Sequence, residues 1–404
     1  MSKRPALVVS LSAALLAAVA ASIVLTSGIV GDAGISDTVV YRQYGERIAA
    51  GDVPYRDFEV EYPPGALVPF VVPALLSSSQ DRFDDAFAGM MLAALALSCL
   101  LVVVSLRAVR ASTPRALFSV GAFLVGTVFL GPFILTRFDL YAAAIALAAI
   151  CAILHRRTIL GPLLLGLAIA TKIYPAVVLP LLVARAWRRD GPRAALRETG
   201  LAIAVIFAVY LPFAVQGPGG VLTSVWRQLG RPLQIESLGS AVLLALHHAA
   251  GMPLDWASGS GSQNLTGTAS TVASGLTTIV GVAALALIWT RFSRGDTDSG
   301  ARFVRYAAAA TVAFVCFGKV LSPQFLVWLL PIVVIVPGLR GAIATILLLV
   351  ACLLTRAWFP HSYWELVREF DPTSSWLVLV RDLVLVTVFV VLVVRFRARE
   401  PERA

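Results

Sequence analysis

The chain has 404 residues, 58% hydrophobic and 14% charged, with a formal net charge of +10 and a mean hydropathy of +0.84. Apolar runs of about 18–20 residues recur, long enough to cross a bilayer, which excludes a water-soluble domain. In lipid every backbone polar group must be satisfied within its own segment, so these runs are read as helices.

In chain order, spans are expected near 7–29, 84–106, 116–135, 138–155, 159–171, 174–187, 199–216, 269–291, 304–318, 323–338, 341–356 and 376–396. The expected fold class is an all-α integral membrane protein of about 10–12 transmembrane helices with an extended first outer loop. It forms a single polytopic domain over 1–404. Residues 3–21 have the outline of a signal peptide, but the apolar run continues to about Val30, so an uncleaved first span is expected. The stretch "GPLLLGLAIATKIYPAVVLPLLVARAW" is too short for two upright spans. It reads as two short helices broken at Lys172–Pro175, because proline disfavours helix at the preceding Tyr174. Residues 65–78 read as a helix at the surface. No internal repeat is seen. The four cysteines, Cys99, Cys151, Cys316 and Cys352, lie in apolar runs without metal-ligand spacing and read as small buried hydrophobes.

Basic residues set the orientation. With the N-terminus in the cytoplasm, the cytoplasmic segments hold 21 Lys and Arg against 6 Asp and Glu, and the rest of the chain holds 12 against 17. The basic excess therefore belongs to membrane insertion and anionic lipid, and nucleic acid is not an expected partner. Both termini are expected in the cytoplasm, with a tail at 397–404. A first outer loop covers 30–83, a second 217–268 and a shorter one 357–375. The Gly/Ser/Thr-rich "DWASGSGSQNLTGTAS" at 255–270 is expected to be flexible.

This topology gathers the unusual polar residues on the outer side. Asp37, Asp57, Glu59 and Glu61 fall in the first loop, Arg137 and Asp139 in "LTRFDLY", and Lys172 and Tyr174 in "ATKIYP". Arg227, Arg231 and Glu236 fall in "WRQLGRPLQIES", Lys319, Ser322 and Gln324 in "GKVLSPQF", and Arg356 and His361 open the last outer loop. An ionisable group at membrane depth costs a few kcal/mol, so it faces a cavity or a partner. Lys172 and Lys319 are two of only three lysines, and each reads either as a functional cation or as a side chain snorkelling to a headgroup. Arg137 and Asp139 read as a functional pair or as a clamp formed with each other. Arg381–Asp382 reads as a structural ion pair. His247 and His248 read as packing or interfacial groups.

Outer-face carboxylates beside cations suit one chemistry. A carboxylate takes the proton from an attacking hydroxyl while cations neutralise a departing lipid phosphate. This describes sugar transfer from a polyprenyl-phosphate donor to a lipid or glycan acceptor.

The motifs resemble the polyprenol-phosphate-mannose-dependent mannosyltransferases of actinobacteria, which are multi-spanning C-type glycosyltransferases of cell-envelope lipoglycan biosynthesis. The likeness rests on Asp37 soon after the first span, Tyr41, "GDVPYRDF" at 51–58 and "EYPPG" at 61–65. It extends to "KIYP" at 172–175, "IESLGS" at 235–240 and "SPQFLVWLLP" at 322–331. The resemblance implies a C-type architecture in the cytoplasmic membrane and inverting hexosyl transfer, with mannose as the sugar, at the outer face. It implies that Asp37 is the catalytic base; spacing alone leaves Asp57 open for that role. Tyr41, Tyr55, Asp57, Glu61, Tyr62, Arg137, Asp139, Lys172, Tyr174, Glu236, Lys319 and Gln324 are the candidate substrate-binding residues. Tyr55, Phe58 and Tyr62 read equally as sugar-stacking groups or interfacial anchors, and Tyr62-Pro63-Pro64-Gly65 as the device that starts the next helix. No cofactor is expected. A divalent ion on Asp37, Asp57 and Glu61 is an alternative without dedicated spacing. The competing functions are a transporter or flippase of lipid-linked sugars, a glycan polymerase or ligase using a diphosphate-linked donor, and a non-catalytic scaffold.

Overall fold

The computed structural model describes residues 3–394, with side chains from residue 7 onward; the tail expected at 397–404 lies outside the described residues. The helices are α1 (Lys3–Thr26), α2 (Thr38–Ala49), α3 (Val68–Leu76), α4 (Gln80–Ala108), α5 (Thr113–Leu130) and α6 (Asp139–Leu154). There follow α7 (Leu160–Thr171), α8 (Leu179–Asp190), α9 (Pro192–Gln216), α10 (Pro218–Leu229), α11 (Leu238–Ala250) and α12 (Gly267–Ser293). The chain continues with α13 (Gly300–Cys316), α14 (Leu326–Val333), α15 (Gly338–Arg356), α16 (Tyr363–Glu369) and α17 (Pro372–Val393). Between α11 and α12 lies one antiparallel hairpin, β1 (Asp255–Gly259) and β2 (Ser262–Thr266).

Among the described residues, seven helices are long and apolar enough to cross a membrane: α1, α4, α5, α9, α12, α15 and α17. Shorter apolar segments accompany them, namely Pro64–Leu76, α6, α7, α11 and Pro323–Val333. A 12-residue helix such as α7 rises only about 18 Å, so some expected spans are part-way helices packed against long ones. The protein is an all-α polytopic membrane protein. Its core is the layer of α13 and α14, where Leu326–Val333 is buried throughout, enclosed by α5, α6, α15 and α17. By contrast α9 and α12 expose apolar side chains along most of their length, as lipid-facing helices do.

The long segment at 30–83 carries α2, a 3₁₀ turn at Pro64–Leu67 and α3. One expectation needs correction. Segment 255–266 is not flexible in form, because Ser260 (φ 53°) and Gly261 (φ 66°) make a two-residue left-handed turn that closes β1 on β2. The hairpin is pinned further when Ile235 N–H donates to the Gln263 carbonyl and Leu265 N–H to the Leu233 carbonyl, both at 3.0 Å.

The break in the α7–α8 region forms as its sequence requires. α7 stops at Thr171, Lys172 is extended (φ −154°, ψ 139°), and a 3₁₀ turn at Tyr174–Val178 leads into α8. The Pro63-Pro64 pair starts its own turn, with Pro63 extended (φ −58°, ψ 153°) and Pro64 at the first helical position, where a missing N–H costs nothing. Gly65 then lets this turn press on the end of α7: a methyl group there would lie 2.6 Å from Thr171 Oγ1 and 2.7 Å from the Ala170 carbonyl oxygen. Backbone cannot yield that far. Gly65→Ala should therefore cost about 1–3 kcal/mol and shift the Lys172 loop, read as a lower melting temperature in detergent. An unchanged melting temperature would show that the contact is slack.

Candidate functional site

The site assembles where α2, the Pro64–Leu67 turn, the start of α6, the α7 break and α14 converge. Asp37 occupies the N-cap position of α2, where aspartate normally caps a free backbone N–H. Its side chain makes no cap bond. It forms an ion pair with Arg137 instead, and the Tyr41 hydroxyl donates to its Oδ2 at 3.3 Å. Arg137 is buried and also donates to the Ile35 carbonyl at 3.3 Å, so it holds both the carboxylate and the backbone leading to it. Asp37 itself remains about one-third exposed.

Arg137 and Asp139 do not pair with each other. Asp139, at the first turn of α6, accepts from Lys172 Nζ at 2.5 Å and from the Trp328 indole N–H at 2.6 Å, all on its Oδ1. The Lys172 ammonium lies 4.1 Å from the Phe138 ring centre and 4.9 Å from that of Trp328, so aromatic faces replace part of its lost water. Tyr174 stacks on Trp328 with ring centres 4.4 Å apart and planes 2° apart. Two ion pairs thus flank Phe138, one open to solvent through Asp37 and one sealed.

Aromatic packing joins the halves. Tyr41 stacks on Phe70 at 4.3 Å, and Tyr62 meets Phe138 edge-on at 5.0 Å. Burial raises the phenol pKa of both Tyr41 and Tyr62, so both stay O–H donors.

Around this centre lie Glu61, Arg231 and Glu236. Arg231 Nε is buried without a hydrogen-bond partner, and its charge acts on Glu61, Tyr62, Glu236 and Lys172. Glu236 is buried with Oε2 unpartnered, and burial raises its pKa to about 7. The Glu236 backbone carbonyl accepts from Arg381 Nη2 at 2.6 Å, and Arg381 also pairs with Asp382 inside α17 at 2.6 Å.

Other candidates stand apart. Asp57 braces its own turn, accepting from the Val53 N–H at 2.7 Å and pairing with Arg56 at 2.8 Å. The Arg56 bond chiefly lowers its pKa, to about 2. Tyr55 donates to the Tyr62 carbonyl at 2.6 Å and so supports the loop that carries Tyr62. Lys319 Nζ donates to the Leu229 carbonyl at 3.0 Å, tying the second loop down. Gln324 sits in the 3₁₀ turn before α14. His247 packs edge-on against Phe370 at 5.4 Å. Sequence reasoning left Trp328 and Phe138 out of the candidate set and named Arg231 only among the outer-side polar residues. The signal for Trp328 was available: an indole in an apolar helix needs an acceptor for its N–H. Among the described residues no group of three His, Cys, Asp or Glu is placed to hold a metal ion.

These features define a multi-spanning membrane protein with two ion pairs packed among aromatic rings where α2, α6, α7 and α14 meet. The family model of glycosyltransferase family 87 matches residues 61–323, well over half the chain, and the protein belongs to that family. The matched segment includes Arg137, Asp139, Lys172 and Glu236 but begins after Asp37 and ends before Trp328.

No curated protein matches the chain by sequence. Among solved structures, the oligosaccharyltransferase of Archaeoglobus fulgidus, tethered to an acceptor peptide, is 13% identical with a TM-score of 0.48, covering 93% of this chain and 55% of that one. The chain thus spans about half the length of that protein. ArnT from Cupriavidus metallidurans, bound to undecaprenyl phosphate, is 16% identical with a TM-score of 0.47, covering 97% of this chain and 77% of that one.

Two outcomes follow from the geometry. Lys172→Met strands a buried carboxylate and should cost about 3–5 kcal/mol. Adding Asp139→Asn should recover most of that loss, because the amide oxygen still accepts from Trp328; no recovery in thermal melts would mean the pair does not carry the stability. The second outcome concerns Glu236. Its folded pKa of about 7 lies above the unfolded value of about 4.3, so the folded state binds the extra proton between them. The stability this contributes is complete below the unfolded pKa and is lost as pH rises through the folded one. Melting temperature should fall as pH rises from about 5 to about 7, within the window between the two pKa values, and Glu236→Gln should flatten that slope.

Proposed function

We propose that the protein moves a hexose, mannose, from a polyprenyl-phosphate donor to a hydroxyl of a lipid or glycan acceptor at the outer face of the cytoplasmic membrane, with inversion at the anomeric carbon. We read the architecture as C-type and the termini as cytoplasmic. The distribution of basic residues supports the orientation, and the motifs at 51–65, 172–175 and 322–331 support the sugar and donor.

The observation that carries the reading is the side chain of Asp37. It forgoes its cap bond, stays partly open to solvent and is held by buried Arg137 and by Tyr41. An acceptor hydroxyl oxygen forms the new bond to the anomeric carbon as the bond from that carbon to the phosphate oxygen breaks. The hydroxyl proton passes to Asp37, and the electron pair leaves with the polyprenyl phosphate. Pairing with Arg137 and Tyr41 orients the carboxylate, and the proton is removed late, as the hydroxyl becomes acidic on bonding. The leaving phosphate needs positive charge. Arg137 and Lys172 are already ion-paired with carboxylates, and we assign the phosphate to Arg231, whose buried Nε has no hydrogen-bond partner. Asp57, held by Arg56 and Val53, is the weaker candidate base. We read the reaction as metal-independent.

The test uses proteoliposomes given labelled polyprenyl-phosphate mannose. Asp37→Asn should lower transfer by about 10²–10⁴ while donor binding persists. Undiminished transfer by this variant would remove Asp37 as base.

A further inference from the structure

Arginines gather at the end of the bundle away from the two ion pairs. α13 rises about 24 Å from Gly300 to Cys316. The segment after it joins the second loop, where the Lys319 carbonyl accepts from the Gln234 N–H at 3.0 Å. Arg302 and Arg305, in the first two turns of α13, therefore lie at the far end, beside the last turns of α12 and α17 and the first turn of α15.

Their geometry is specific. Both guanidinium carbons lie 4.7 Å from the centre of the Tyr306 ring, so two cations share one buried aromatic platform. Arg305 also acts by its charge on Arg340, the third residue of α15. Arg302 Nη2 donates to the Arg291 carbonyl at 2.6 Å, and Arg291 Nη1 donates to the Val393 carbonyl at 3.3 Å, which ties together the ends of α12, α13 and α17. The Nε atoms of Arg302 and Arg305 are buried without a hydrogen-bond partner.

The carboxylates of this face are engaged elsewhere. Asp298 pairs with Arg156 at 2.7 Å and with Arg185 at 3.6 Å, Asp190 and Glu198 pair with Arg189, and Asp296 accepts from the N–H groups of Asp298 and Ser299. Among the described residues no carboxylate pairs with Arg302 or Arg305. Two like charges against one ring repel unless an anion lies between them. The planar fork of a guanidinium matches the oxygens of a phosphate.

The surroundings indicate which phosphate. On α12, Leu276, Val280 and Leu287 form a stripe that is 41–58% exposed, and Arg291 follows Leu287 by four residues on the same face. On α15, exposed Leu339, Ile346, Val350 and Leu353 run along one face, starting beside Arg340. Lipid-facing stripes on both helices thus end at arginines, as acyl tails end at a headgroup.

We propose that Arg302 and Arg305, with Arg291 and Arg340 at the rim, bind the phosphate of an anionic phospholipid whose tails lie along α12 and α15. The site is separate from the sugar-transfer centre, and the inference does not depend on the sugar, the acceptor or the base. The bound phosphate relieves the repulsion at Tyr306 and clamps the ends of α12, α13 and α15.

The experiment uses the full chain in nanodiscs of phosphatidylcholine doped with phosphatidylglycerol, and native mass spectrometry counts the lipid that stays bound on release. Phosphatidylglycerol should be retained in preference to phosphatidylcholine, and Arg305→Gln should weaken that preference about fivefold. Arg302→Gln should act alike; should loss of its bond to the Arg291 carbonyl prevent folding, Arg305→Gln alone decides. Arg193→Gln, at an exposed position at the start of α9 on the same face, should leave retention unchanged. Unchanged retention in Arg305→Gln overturns the site, and an equal loss in Arg193→Gln overturns it in favour of a diffuse basic surface. Inorganic phosphate should displace the lipid only at about a hundredfold or more higher concentration. Displacement at equal concentration overturns the lipid and leaves a site for a free anion.

Discussion

A carboxylate within an apolar bundle must be answered, and Asp139 is answered twice. Lys172 neutralises it and the Trp328 indole fills further acceptor capacity on the same oxygen. Leaving such a charge alone would cost several kcal/mol, a large share of a domain's net stability. Three elements meet at this point: the start of α6, the interrupted end of α7 and the buried α14. The Lys172 ammonium reaches Asp139 only because α7 stops at Thr171, and α7 can stop there against the Pro64–Leu67 turn only because Gly65 has no side chain. The neighbouring Asp37–Arg137 pair is built on this frame, since Arg137 lies two residues before Asp139.

The two pairs divide the work by exposure. Asp139 and Lys172 are enclosed by Phe138, Trp328 and Tyr174 and hold position. Asp37 sits at the edge, with water on one side and Arg137 on the other. A reacting carboxylate has to meet its substrate, whereas a structural one is best sealed. The pairing that adjacency in sequence suggests, Arg137 with Asp139, is not the one formed: Arg137 pairs with Asp37 and Lys172 with Asp139.

Much of this was legible in the sequence. The long apolar helices, the break at Lys172 and the helix start at Pro63-Pro64 follow from hydropathy and proline chemistry, which act locally. The partners of Arg137 and Lys172 were not legible, because they are fixed by tertiary packing: Trp328 stands 189 residues from Asp139. The hairpin at 255–266 was misread because composition rich in Gly and Ser signals mobility, while the left-handed Ser260–Gly261 turn and its bonds to Leu233 and Ile235 specify a rigid form. Within the first loop α2 was not legible, because it is polar enough to pass for loop, its buried side being carried by few residues such as Tyr41 and Gly45.

The spacing of the sealed pair has a consequence for biosynthesis. Lys172 follows Asp139 by 33 residues, and α6 and α7 form one antiparallel pair. The hairpin therefore carries its own counter-ion into the bilayer and can partition as a neutral unit before the rest of the chain exists. Asp37, in contrast, precedes Arg137 and has already left the translocation machinery when its partner emerges. The sealed pair matures as a hairpin inserts; the exposed one closes only when α2 folds back onto a bundle already embedded.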